Sequence, residues 1–80
     1  MVVQLLLFGI TKDIIGKTPF SFEIQGENTA GNLLKQLIKQ YPTLKELNSI
    51  AIAVNGDYSN ESTLIASGDE IALIPPVSGG

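Results

Sequence analysis

One stretch near the start of the chain limits the fold more than any other. Val2 to Phe8 is apolar at every position except Gln4. A half-buried strand alternates apolar with polar residues, whereas a run without alternation needs cover on both faces. The segment is therefore expected as a central strand. Glu70 to Ile74 is a second apolar strand, expected beside it in the middle of the sheet. Eighty residues make one small domain. A chain of this size hides only about 60–65% of its unfolded surface, so its core has to be efficient.

The segments between these two strands each carry a local signal. Ile10 to Ile15 is bounded by Gly9 and Gly16 and reads as a short helical turn. Thr18 to Ile24 alternates, with Phe20, Phe22 and Ile24 on one face and Ser21 and Glu23 on the other. That pattern predicts a half-buried edge strand, loosely antiparallel to the first, and Pro19 suits an edge. Gly26, Asn28 and Thr29 supply turn and N-cap chemistry. Leu33, Leu34, Leu37, Ile38 and Tyr41 then make one apolar stripe on a helix of about 12 residues. Lys35, Gln36, Lys39 and Gln40 are expected to face water, and Pro42 stops the helix. Leu44 and Leu47 anchor the connection to a strand at Ser49 to Val54. Asn55-Gly56 is a tight-turn signal, with a brief return through Tyr58. Ser67-Gly68-Asp69 turns into the last strand, which Pro75-Pro76 ends.

This order predicts an α+β domain, a mixed sheet of four to five strands with one main helix packed on one face. The β-grasp arrangement satisfies it with a right-handed crossover through the helix. Residues 1–74 form the domain and residues 75–80 a flexible Gly-Gly tail. A two-layer domain leaves one sheet face open. If Val3, Leu5 and Leu7 face the core, Leu6 and Phe8 face outward with Ile74 beside them. Only 16% of the residues are charged, which fits an apolar face kept for a partner.

What the chain lacks excludes several chemistries. It has no Cys, His, Arg or Trp, hence no disulfide framework, zinc site, thiol nucleophile or imidazole base. No residue is assigned a catalytic or metal-binding role. Five lysines against eight acids give a net charge of −3, unlike the basic footprint that nucleic acids require. Uninterrupted apolar runs such as Leu5 to Phe8 and Ile50 to Val54 fall far short of a membrane span. There is no signal-peptide pattern, and a cytoplasmic location is expected. Asp69-Glu70 and Asp57 read as turn and strand-start residues, because adjacent strand positions point to opposite faces. Lys35 and Lys39 read as a solvated helix face.

The last six residues carry the most functional information. Pro75-Pro76 stiffens the exit, and Val77, Ser78, Gly79 and Gly80 follow. Extended, Pro75 to Gly80 reaches about 20 Å. A Gly-Gly end has no side chain to block a narrow channel and adopts backbone angles closed to other residues. It suits insertion into another protein's active site, although Gly-Gly alone also fits a frayed terminus.

The run Gly68-Asp69-Glu70-Ile71-Ala72-Leu73-Ile74-Pro75-Pro76-Val77-Ser78-Gly79-Gly80 resembles the C-terminal signature of the MoaD-type sulfur carriers, the small subunits of molybdopterin synthase. Leu7-Phe8-Gly9 with Lys12-Asp13 and Gly16, Ala53-Val54-Asn55-Gly56, and Leu64 ahead of Gly68 extend the likeness over most of the chain. The resemblance implies a ubiquitin-like β-grasp fold and a heterotetrameric synthase. It also implies a carrier chemistry without any bound cofactor. An adenylating, ubiquitin-activating-like enzyme uses ATP to activate the Gly80 carboxylate, and a sulfur-donating enzyme converts it to a thiocarboxylate. The tail, with Val77, Ser78 and Gly79 threading, then enters the large catalytic subunit and passes sulfur to cyclic pyranopterin monophosphate. Phe8, Leu6, Ile74, Pro75, Pro76 and Lys12 are the implied partner contacts. Lys12 stands where many members carry Arg, and Ile74 where an aromatic residue is common, which alters grip without touching the carrier chemistry. A carrier for thiamine or tRNA thiolation, and a ubiquitin-like protein modifier, share the same features.

Overall fold

The computed structural model describes residues 1–47 and 49–76. The elements run β1 (Val2–Leu7), α1 (Ile10–Ile15), β2 (Phe20–Glu23), α2 (Ala30–Gln40), a 3-10 helix (Pro42–Glu46), β3 (Ala51–Val54), β4 (Asp57–Tyr58) and β5 (Ile71–Ile74). They form a five-stranded sheet in the order β2-β1-β5-β3-β4. β1 and β5 are parallel neighbours in the middle, with Leu5 opposite Ile71 and Leu7 opposite Leu73. The other pairs are antiparallel. This is the β-grasp arrangement, with both apolar strands central.

Strand parity decides what is buried. Val3, Leu5 and Leu7 of β1, Phe20 and Phe22 of β2, Ile52 of β3, and Ile71 and Leu73 of β5 all face α2. From the helix come Ala30, Leu33 and Leu37, of which the two leucines are fully buried. Each such leucine contributes about 2–3 kcal/mol of transfer free energy. The stripe spans Leu33 to Tyr41, whose ring meets Phe20 edge-on at 5.9 Å between centroids. Leu44, on the 3-10 helix, is also buried in this core, while Leu47 is half-buried against it.

The helix ends follow from local chemistry. Thr29 caps α2, its Oγ1 accepting from the Asn32 N–H at 3.2 Å. Two further N–H groups of the first turn are satisfied by a distant segment: Ala30 donates to the Thr63 carbonyl at 2.9 Å and Gly31 to the Glu61 carbonyl at 3.1 Å. A Cβ at Gly31 would lie 2.7 Å from the Glu61 Cβ and 2.9 Å from its carbonyl oxygen. Only glycine allows that approach. At the other end, Pro42 starts the 3-10 helix as α2 stops.

Strand boundaries contract by a residue or two from the sequence expectation. β2 begins at Phe20 because Thr18 turns its Oγ1, and not its backbone, to the Leu7 N–H. Gln36 corrects an expectation. It does not simply face water, because its amide bonds both backbone groups of Gln25.

Candidate functional site

The site is built on the sheet face that α2 leaves open. Even-numbered residues of β1 and β5 point there, and the pairing aligns them across strands. Leu6 lies opposite Ala72, Ala72 opposite Ala53, and Ala53 opposite Tyr58, so one apolar row crosses four strands. Ile74 and Ala51 make a second row at the end where β5 leaves the sheet. Phe8, one residue past β1, is 51% exposed at that same end. Three alanines form a low floor, and Leu6, Phe8, Ile74 and Tyr58 stand around it. Leu6 and Ile74 are half-buried, whereas Tyr58 is 75% exposed. A patch that is flat in the centre and raised at its rim is suited to receive a complementary apolar surface.

Polar residues bound the patch at the other end. Gln4 donates to Ser21 Oγ at 2.6 Å, and Glu23 lies opposite Val2. Asp69 holds the approach to β5. Its carboxylate accepts the Ala66 N–H at 2.8 Å and the Asn55 side-chain amide at 3.0 Å, while Asn55 Oδ1 accepts the Glu70 N–H at 2.9 Å. The Ala66 bond first, and the Asn55 bond second, hold the Asp69 carboxyl below its ordinary range. Asn55 and Gly56 both have positive φ, 53° and 86°, as the hairpin turn demands. The turn and the strand that carries the tail are thus fastened together.

The exit of β5 is shaped by Gly9 and Thr11. Gly9 has φ 55°, and a Cβ there would come within 3.2 Å of the Pro75 Cγ. Pro75 and Pro76 are half-buried. Thr11 is fully buried. Its hydroxyl accepts the Phe8 N–H at 3.1 Å and donates to the Phe8 carbonyl at 2.6 Å, and it lies 3.4 Å from the Leu73 carbonyl. It therefore fixes the Phe8 turn against the end of β5.

Of the residues expected to meet a partner, Leu6, Phe8 and Ile74 share one face and Pro75 leaves beside it. Lys12 is exposed on α1, a turn away from Gly9. Val77, Ser78, Gly79 and Gly80 lie outside the described residues. The sequence reading missed Tyr58, Ala51, Ala53 and Ala72 as parts of the face, and Thr11 and Gly9 as supports of the exit. The alternation in β3 separates Ala51 and Ala53 from Ile52 and was the available signal for two of them. Among the described residues no group of three His, Cys, Asp or Glu is placed to hold a metal ion. No helix among them is long and apolar enough to cross a membrane.

Comparison with known proteins gives this geometry a context. The molybdopterin synthase sulfur carrier subunit of Mycobacterium tuberculosis is 38% identical over 80 residues, covering 98% of this chain and 96% of the relative. A complex of subunits 1 and 2 of the molybdopterin-converting factor from Helicobacter pylori contains a chain 34% identical, with full coverage of both chains and a TM-score of 0.61. The crystal structure of SAMP1 from Haloferax volcanii superposes with a TM-score of 0.79 at 28% identity, again over 100% of each chain. The model of the ThiS family matches residues 5–80, and the chain belongs to that family.

Proposed function

We propose that this chain is the sulfur carrier subunit of molybdopterin synthase, a non-catalytic donor that works through its own C-terminal carboxyl group. One observation carries the reading: the central strand that contributes Ala72 and Ile74 to the open apolar face runs directly into Pro75, so a protein seated on that face meets the tail. Residues 1–74 act as the docking domain and residues 75–80 as the delivered arm. The M. tuberculosis relative and the H. pylori complex support it.

The chemistry follows from the α-carboxyl group. Its pKa of about 3.5 leaves it ionised at neutral pH, and a carboxylate resists nucleophiles. A partner enzyme first joins the Gly80 carboxylate to the α-phosphorus of ATP, releasing pyrophosphate and giving an acyl adenylate. Hydrosulfide from a sulfur donor then attacks the acyl carbon, the acyl C–O bond to AMP breaks, and the resulting thioacid loses its proton to leave a thiocarboxylate. On the large subunit the C–S bond breaks as sulfur passes to cyclic pyranopterin monophosphate, and water restores the carboxylate. The side chains here supply no base or nucleophile. They supply the face, the exit angle set by Gly9 and Thr11, and an unobstructed Gly79-Gly80 end.

Intact-mass measurement after incubation with the adenylating enzyme, ATP and a sulfur donor tests the reading. One oxygen is exchanged for one sulfur, and a chain lacking Gly80 shows no such exchange. If both chains behave alike, the carrier role is wrong. The likeness to SAMP1 favours a second reading, a protein modifier joined through Gly80 to lysine amines. Higher-mass conjugates that resist thiol reagents would mark that outcome.

A further inference from the structure

The two outer strands of the sheet are finished differently. β4 is two residues long and offers little edge. β2 is four residues long and borders only β1. The Ile24 N–H donates to the Met1 carbonyl at 2.8 Å, and Val3 and Leu5 lie opposite Phe22 and Phe20. By this alternation Phe20, Phe22 and Ile24 turn their backbone groups inward. The N–H and C=O groups of Ser21 and Glu23 point outward, where no described residue meets them.

The next outward position, Gln25, shows what fits. Its N–H donates to Gln36 Oε1 at 2.9 Å, and its carbonyl accepts from Gln36 Nε2 at 2.6 Å. The primary amide of Gln36 reproduces the donor and acceptor of a peptide group on an adjoining strand. The molecule thus places a strand mimic at one outward position and leaves the two preceding positions unfilled. Beside them a groove of about 570 Å³ runs between β2 and α2, with Phe20 and Phe22 on one wall. The charged residues lining it are Lys39 on the helix wall and Glu23 on the strand, whose side chain alternates to the opposite sheet face from Phe22, and Lys17 Nζ sits 5.6 Å from the Phe20 ring centroid.

We propose that the outer edge of β2 is a docking site for an extended peptide segment of another protein, which adds as a sixth strand. The occupant bonds the N–H and C=O groups of Ser21 and Glu23. It turns alternate side chains into the groove, an apolar one against Phe22 and an acidic one toward Lys39. Because β1 separates β2 from β5, a segment held there leaves the open face and Pro75 accessible. The chain can then be tethered by one partner while it serves another.

Amide hydrogen exchange on the full-length protein tests this. The probe is a blocked six-residue peptide in which Val, Asp and Val alternate with Thr. At millimolar peptide, exchange at Ser21 and Glu23 slows by about tenfold or more, while Gln25, already bonded, stays unchanged. The same peptide N-methylated at the amides facing β2 gives no slowing. Lys39→Glu weakens binding about tenfold, and Phe8→Glu, on the other face, leaves it intact. Absence of slowing at Ser21 and Glu23 overturns the proposal. Slowing that grows with protein concentration in the absence of peptide also overturns it, because a second copy of the chain is then the occupant.

Discussion

Replacing Gly31 by Ala tests how tightly α2 is fastened to the segment around Glu61. By intrinsic propensity the change favours the helix by up to about 1 kcal/mol. The structure opposes it. The new methyl carbon would stand 2.7 Å from the Glu61 Cβ, 2.9 Å from its carbonyl oxygen and 3.1 Å from its Cα. Two of those three atoms are backbone, so no rotamer change relieves the contact. Overpacking of this kind costs about 1–3 kcal/mol. If the segments separate, the Gly31 and Ala30 hydrogen bonds to Glu61 and Thr63 weaken as well, at about 1 kcal/mol each. The clash outweighs the propensity gain, with a net loss of about 2 kcal/mol, or about 10 °C in Tm for a domain of this size. Urea unfolding followed by circular dichroism, with thermal melts alongside, measures it. Adding Glu61→Gly removes only the Cβ contact and restores part of the loss. A Gly31→Ala protein as stable as the parent would refute the reasoning, since the helix would then move aside at no cost.

The other predictions concern the candidate site. Phe8→Glu leaves the fold intact, because half of that side chain is already exposed. Binding to the large synthase subunit, read by calorimetry, falls at least tenfold; loss of the fold would place Phe8 in the core instead, and an intact fold with unchanged binding would remove Phe8 from the contact. Thr11→Val keeps the shape but strands the Phe8 N–H, while the Phe8 carbonyl keeps the Thr11 N–H, lowering stability in denaturant by about 1–3 kcal/mol. The Asp69 carboxyl is held below its unfolded range. Its contribution is therefore present above the unfolded pKa and lost as pH falls through the folded one. Denaturant midpoints of the parent and Asp69→Ala should differ near neutral pH and converge in strong acid; a gap that persists in acid would mean that the charge is irrelevant.

Much of the fold was legible because its signals are periodic. The apolar run Val2 to Phe8, interrupted only by Gln4, placed β1 in the centre, and the Phe20-Ser21-Phe22-Glu23 alternation gave β2 its inner and outer faces. Tyr41 fell at the end of the helix stripe and packs on Phe20. Leu6, Phe8 and Ile74 could be placed together because parity alone sends them away from the helix. What escaped depends on which residues meet across long separations. Gly31 owes its role to Glu61, and nothing within α2 signals it. Thr11 is polar in a short helical turn, which predicts exposure, yet three backbone groups converge on its hydroxyl. Gln36 sits where the helix pattern assigns water, and only the nearness of Gln25 gives its amide a task. Ala51, Ala53 and Ala72 are individually unremarkable; register makes them a floor.

The pairing of β1 with β5 couples assembly to readiness. Leu5 meets Ile71 and Leu7 meets Leu73, so the centre of the sheet joins the two most distant parts of the described chain. Such a contact closes a long loop, whose entropy must be met before the pairing rewards it. Before it forms, Leu6 has no Ala72 beside it, Ile74 has no fixed place, and Pro75 has no Gly9 turn to lean on. The landing surface and the departure point of the arm therefore come into being in one event. Half-made or unfolded copies offer neither, and activating enzymes that require both would pass them over without any separate inspection step.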